Sequence, residues 1–165
     1  MMDPERLGHL FDRHAAALVL YARQWCAAAE DVVQETFIKL ARQPPPPLVD
    51  LTPWLYRVVR NAAISAARRD NRRRRHETEA ARQTPTWFLS SVDNQIDAAE
   101  AAAVLKKLPA EQREVVIARL WGGLTFEQVA TLTNLSVGSA HRHYHAGLAA
   151  LRERLHACPN PSTPN

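Results

Sequence analysis

Eight arginines lie between Arg57 and Arg75 against one acid, Asp70, and that density of fixed cations suits the holding of phosphate. The formal net charge of the whole chain is only +4, so the remainder is slightly acidic. Running into this basic segment, Trp54, Arg57, Asn61, Ser65 and Arg68 recur at helical spacing, one aromatic among polar and basic groups. Single-strand recognition uses such parts: cations for the backbone, Trp54 for stacking, and Asn61 to hydrogen-bond the edge of an unstacked base. A second cluster lies towards the C-terminus. The small residues Gly138, Ser139 and Ala140 precede Arg142 and three histidines, His141, His143 and His145. A helix that begins this way can approach a groove floor and present donors to base edges. The plain alternatives are a solvated arginine face, a Trp54 that anchors a core, a solvent-facing Asn61 and surface histidines.

Other chemistries find little support. Paired carboxylates occur only at surface-helix spacing, as Asp31 with Glu35 and Glu77 with Glu79. No serine or cysteine stands in a nucleophile motif, and no Gly-rich phosphate loop is present, so no enzyme is expected. His141 and His145 are four apart and could share a helix face as metal ligands do, but His143 points elsewhere and no glutamate completes an HExxH set. Neither a metal nor a cofactor is expected. Cys26 and Cys158 form no CxxC pair, which suits a reducing cytoplasm. No run approaches the roughly 18 apolar residues of a membrane span, and Asp3, Glu5 and Arg6 are unlike a signal peptide. A cytoplasmic protein without membrane insertion follows.

The elements that must position these residues are all helical: glycine is scarce, alanine abundant, and no run alternates with period two. A first helix, about Asp3 to Trp25, buries Leu7, Leu10, Phe11, Leu18 and Tyr21. A second, about Ala29 to Arg42, buries Val33, Phe37 and Leu40 and turns Asp31, Gln34, Glu35 and Ile38 outward, until Pro44–Pro47 stops it. A third starts near Thr52-Pro53, a cap followed by proline, and runs to about Arg69 with Leu55, Val58, Val59, Ala62 and Ala66 inward. From about Arg82 to Asp97 the pattern lapses into a linker, in which Trp87-Phe88-Leu89 is an unexpected apolar triplet. Beyond it, helices over about Ala98–Leu108 and Ala110–Trp121 lead into a helix-turn-helix. There Thr125 caps a helix with Phe126, Val129 and Ala130 inward, Asn134 supplies a left-handed turn, and Ser136 caps a second helix continued by Leu148, Leu151 and Leu155. The expected fold is all-α: two small helical bundles, residues 1–81 and 98–157, joined by a flexible linker over 82–97 and followed by a tail, 158–165.

Four blocks then carry a resemblance: Asp31-Val-Val-Gln-Glu-Thr-Phe-Ile-Lys-Leu, Pro53-Trp-Leu-Tyr-Arg-Val-Val-Arg-Asn-Ala, Leu108-Pro-Ala-Glu-Gln-Arg-Glu-Val and Leu124-Thr-Phe-Glu-Gln-Val-Ala. In order and spacing they resemble the extracytoplasmic-function (ECF) branch of bacterial sigma-70 factors, over roughly Leu7 to Leu155. The resemblance implies a subunit that gives core RNA polymerase its promoter specificity, a monomer when free. Its first bundle would bind polymerase and melt the −10 element, and its second would bind the duplex −35 element. By position, Asp31, Gln34, Glu35 and Ile38 match the surface for polymerase. Asn61 matches the residue that cradles a flipped base. Trp54, Arg57, Arg60, Arg68, Arg69, Arg72 and Arg73 would serve the −10 strands, and Arg119, Ser139, His141, Arg142, His143 and His145 the −35 duplex. An anti-sigma protein is a further partner the family often uses.

The recognition helix departs from the family's habit. His141, His143 and Ala146 stand where Lys or Arg is usual, Ala140 where a bulky residue is usual, and Gly147 lies inside the helix at a cost of about 1 kcal/mol relative to Ala. Two other readings would use part of the same pattern. A stand-alone helix-turn-helix regulator needs no acidic face on the second helix and usually dimerises on half-sites. A sigma-like decoy would bind proteins without reading DNA.

Overall fold

The computed structural model describes residues 2–76 and 103–157, and within them every regular element is helical. The expected linker, the Trp87-Phe88-Leu89 triplet, the Glu77 and Glu79 pair, Cys158 and the tail lie outside the described residues.

The first bundle is three helices. Helix α1, Pro4–Ala22, is capped by Asp3, whose carboxylate accepts from the Arg6 backbone N–H at 3.1 Å, with Pro4 where a missing N–H costs nothing. It ends three residues before the expected boundary, and Arg23 to Trp25 form a turn. Helix α2, Ala29–Arg42, has Glu30 and Asp31 in its first turn and Lys39 and Arg42 in its last, both favourable to the helix dipole. Val32, Val33, Thr36, Phe37 and Leu40 are buried along one stripe, and the Thr36 hydroxyl donates to the Val32 carbonyl. Phe11, expected inside, stays 39% exposed and meets the Phe37 ring edge-on at 5.0 Å.

Helix α3 runs Leu51–His76, well past the expected end near Arg69. Nothing in Asn71-Arg72-Arg73-Arg74-Arg75 breaks a helix, and cations in a last turn are stabilised by the free carbonyls there. Its cap is Asp50, not Thr52: the Thr52 backbone N–H donates to the Asp50 carboxylate at 3.2 Å, and Pro53 falls inside the first turn. Leu55, Tyr56, Val59, Ala63 and Ala66 face inward, while Val58 and Ala62 are only half-buried.

The second bundle begins with a short helical stretch, 103–106, and then α4, Ala110–Val116, which continues into a π-helical turn, Ile117–Trp121. Gly122, whose N–H donates to the Ile117 carbonyl, and Gly123, at φ +67°, end it. Helix α5, Phe126–Thr133, starts on a reciprocal cap in which Thr125 and Gln128 each bond the other's backbone N–H. It ends at Asn134 in the left-handed region, φ 58° and ψ 37°. Helix α6, Val137–Ala157, follows, with the Ser136 hydroxyl accepting from the Ser139 N–H at 3.1 Å.

Two small residues of α6 have structural work. Ala140 is fully buried, so it faces the core and not a groove. A Cβ on Gly147 would sit 2.6 Å from Val116 Cγ2, so the helix-propensity cost of this glycine is what lets α6 lie close against α4. Gly147→Ala gains about 1 kcal/mol of propensity and loses about 1–3 kcal/mol to overpacking, so net destabilisation is expected. Thermal unfolding of the variant checks it; a raised midpoint contradicts the packing argument.

The bundles are in contact with each other. Helix α1 packs on the π-helical turn and α3 packs on α5.

Candidate nucleic-acid and partner-binding surfaces

Three surfaces hold the residues singled out in the sequence. On α2, Asp31, Gln34, Glu35 and Ile38 are all exposed, Ile38 to 51%, opposite the buried stripe. None of these side chains joins a hydrogen bond or ion pair within the described residues. A shallow cleft beside them is lined by Glu35, Ile38, Lys39, Arg42 and Gln43. An exposed aliphatic side chain among unpaired acids is suited to a partner that brings both a cation and an apolar contact.

The second surface is α3. Arg57, Asn61, Ser65, Arg68, Arg69, Arg72 and Arg73 are exposed along it, and Arg73 has only a loose 3.8 Å approach to Asp70. Trp54 is half-buried. With Arg57, Val49 and Pro53 it forms one wall of a cleft whose other wall is Glu127, Gln128, Thr131 and Leu132 around α5. Arg60 stands apart from the row. Its Nε donates to Glu114 Oε1 at 2.7 Å, its guanidinium lies 5.6 Å over the Trp25 ring, and the bond to Glu114 pushes its pKa further up.

The third surface is the start of α6. Arg142 donates to the Ser139 hydroxyl at 2.8 Å, which fixes the side chain over the first turn. His141 stacks on Phe126 at 3.6 Å between centroids and 22° between planes, and the His145 ring lies parallel at 6.1 Å. Arg119 also lies over the Phe126 ring, 5.0 Å away, and donates to the Leu124 carbonyl at 3.1 Å. Arg119, Phe126, His141 and His145 thus form one cluster in which both histidines are exposed. His143 turns away from it, half-buried, with Nε2 at 3.5 Å from Glu111 on α4. Among the described residues no three His, Cys, Asp or Glu side chains gather as a metal site would require.

What the sequence pattern did not reveal is Glu114. It lies inside one of the quoted blocks, yet nothing in its spacing marks it as a buried carboxylate. Tyr21 on α1 and Arg60 on α3 both donate to it.

Both bundles match known proteins. The model of sigma-70 region 2 matches residues 10–74, and that of sigma-70 region 4 matches residues 98–151. The chain is 33% identical to the ECF RNA polymerase sigma factor SigL of Mycobacterium tuberculosis, over 88% of this chain and 86% of that one. It belongs to the ECF RNA polymerase sigma factors. Similarity extends to the RNA polymerase sigma factor CarQ of Myxococcus xanthus, 29% identical over 88% of this chain and 87% of CarQ. Among solved structures, the sigma factor RpoE of Bartonella quintana, crystallised with the anti-sigma factor NepR, shares the fold. Its TM-score is 0.74 at 21% identity, covering 94% of this chain and 99% of that one. CnrH, solved with the cytosolic domain of CnrY, aligns at a TM-score of 0.62. All three surfaces of this sigma factor fall within the matched regions: the α2 and α3 faces in region 2, the α6 face in region 4. No helix among its described residues is long and apolar enough to cross a membrane.

Proposed function

We propose that this sigma factor docks on core RNA polymerase through Asp31, Gln34, Glu35 and Ile38, holds the melted −10 strand along α3, and reads the −35 duplex with the start of α6. On this reading it is a cytoplasmic monomer when free, has no catalytic residue and no cofactor, and divides into a polymerase and −10 domain, 1–81, and a −35 domain, 98–157. An anti-sigma protein is its proposed antagonist, as for the neighbour crystallised with NepR.

The observation that carries the reading is the exposed row of Arg57, Asn61, Arg68, Arg69, Arg72 and Arg73 on one long helix that buries its apolar stripe elsewhere. Cations in line follow a strand's phosphates, while a single amide among them can read a base. At the −35 element, Ser139 and Arg142 meet the groove first, and the exposed edges of His141 and His145 follow. Arg119 acts from beside Phe126, and His143 reaches duplex only by leaving Glu111.

Run-off transcription with core polymerase on a promoter library tests the whole proposal. Asn61→Ala should lower open-complex formation by about tenfold and relax preference at one −10 position, the loss of one hydrogen-bonded base being worth about 1–3 kcal/mol. An equal loss at every promoter position contradicts a base pocket at Asn61.

A further inference from the structure

Glu114 is 9% exposed and is held by two residues of the other bundle. Its Oε1 accepts from the Tyr21 hydroxyl at 2.7 Å and from Arg60 Nε at 2.7 Å. Burial and the adjacent carboxylate push the Tyr21 phenol far above its ordinary range, so the hydroxyl keeps its proton and donates. The Tyr21 ring packs edge-on against Trp25 and Tyr56, each near 5 Å. Beside this contact the chain of the second bundle comes unusually close: a Cβ on Gly122 would meet the Tyr56 hydroxyl at 2.7 Å. A second link, Gln128 Nε2 to Asp50 Oδ2 at 3.0 Å, joins the two walls of the cleft that Trp54 and Arg57 share with α5.

This geometry sets two uses of one side chain against each other. A guanidinium binds a carboxylate or a phosphate through the same charge-assisted hydrogen bonds, and one already neutralised through its Nε by a buried carboxylate binds the second more weakly. We propose that Tyr21, Glu114 and Arg60 form a latch that keeps the free sigma factor closed, with the Glu114 carboxylate standing in for a DNA phosphate at Arg60. The inference rests on the reading of α3 as the strand-binding helix. Closure and strand binding then compete, and a strand or polymerase that separates the bundles returns Arg60 to the cationic row.

Removing the charge of Glu114 leaves Arg60 partly buried without its anion, which favours the open form. If about nine in ten free molecules are closed, opening them all raises apparent strand affinity about tenfold, since apparent affinity scales with the competent fraction. Tyr21→Phe removes one donor and keeps the ring packing, so its effect should be in the same direction and smaller.

The experiment uses the full chain without polymerase: wild type, Glu114→Gln, Tyr21→Phe, the single reversals Arg60→Glu and Glu114→Arg, and the two reversals combined. Small-angle scattering and amide exchange over residues 18–22 and 114–122 read closure. Fluorescence anisotropy with a labelled oligothymidylate reads strand binding. Glu114→Gln should enlarge the radius of gyration, expose both segments to exchange and bind the oligonucleotide about tenfold more tightly. Each single reversal should open the protein, and the combined pair should close it again, which a merely misfolded variant cannot do. Helical variants as compact and as protected as wild type overturn the latch. If Glu114→Gln opens the bundles but leaves oligothymidylate affinity at the wild-type value, the competition at Arg60 is overturned. If no open variant binds oligothymidylate at all, the strand-binding reading of α3 fails, while the closure data still report on the latch contact by itself.

Discussion

A chain with lysine at both Asp31 and Glu35 is expected to lose assembly with core polymerase by about a hundredfold while its helicity is kept and its thermal midpoint falls by only a few degrees. The two carboxylates are exposed, lie on one face of α2 one turn apart, and have no intramolecular partner among the described residues. Replacing them therefore removes no contact that folds the protein. The binding loss has two sources: two attractions vanish, and two like charges are placed against whatever cations the partner presents, at a cost of several kcal/mol. About 3 kcal/mol of this suffices for the stated factor. The reversal at Asp31 does put a cation in the first turn of α2, where it opposes the helix dipole by about 0.3–1 kcal/mol, while Glu35 lies beyond that turn and the favourable Glu30 remains. Co-elution with core polymerase on size exclusion, with circular dichroism of the free variant, checks both halves. A double variant that assembles at wild-type affinity removes α2 from the polymerase surface.

The second large effect concerns the end of α3. Changing Arg72, Arg73, Arg74 and Arg75 to glutamine preserves helix propensity, since glutamine and arginine rank together, but removes four exposed cations. If each neutralises a phosphate of a single strand, the logarithmic salt slope of binding becomes shallower by about 3, from about 0.7 per contact. Affinity at low salt should fall by orders of magnitude and equally for every sequence, because phosphate contacts carry no base information. This differs in kind from Asn61→Ala, whose loss should be confined to one position. Titrations of the holoenzyme on a forked promoter at several salt concentrations give the slope. An unchanged slope means that these arginines face solvent in the complex.

Whether a residue is available to bind is set by its three-dimensional neighbours. Arg57 and Arg60 are three apart in the sequence and equally cationic, yet one lines an open cleft and the other is bound to Glu114. His141 and His143 are two apart, yet one stacks on Phe126 and the other sits beside Glu111. Equal composition therefore predicts unequal contributions: Arg57 and His141 can act at once, while Arg60 and His143 must first break a contact inside the chain.

What the amino-acid sequence determined by itself is what depends on residues within about one helical turn of each other. The proline run ends α2, Thr125 and Gln128 cap α5, and Asn134 takes the left-handed turn, since each effect is settled by local backbone and side-chain geometry. Amphipathic spacing likewise placed Asp31, Gln34, Glu35 and Ile38 outside and Asn61 on the exposed side of α3, because burial follows the helical period. Periodicity names the face of a helix and leaves its partner open. The burial of Ala140 and the need for glycine at position 147 against Val116 were both decided by how helices pack. The contact of the bundles was decided further still from local sequence: Tyr21 and Glu114 are 93 residues apart, and Arg60 and Glu114 are 54. A carboxylate at position 114 reads as a surface charge until two donors from another bundle surround it, and only the folded chain brings them there.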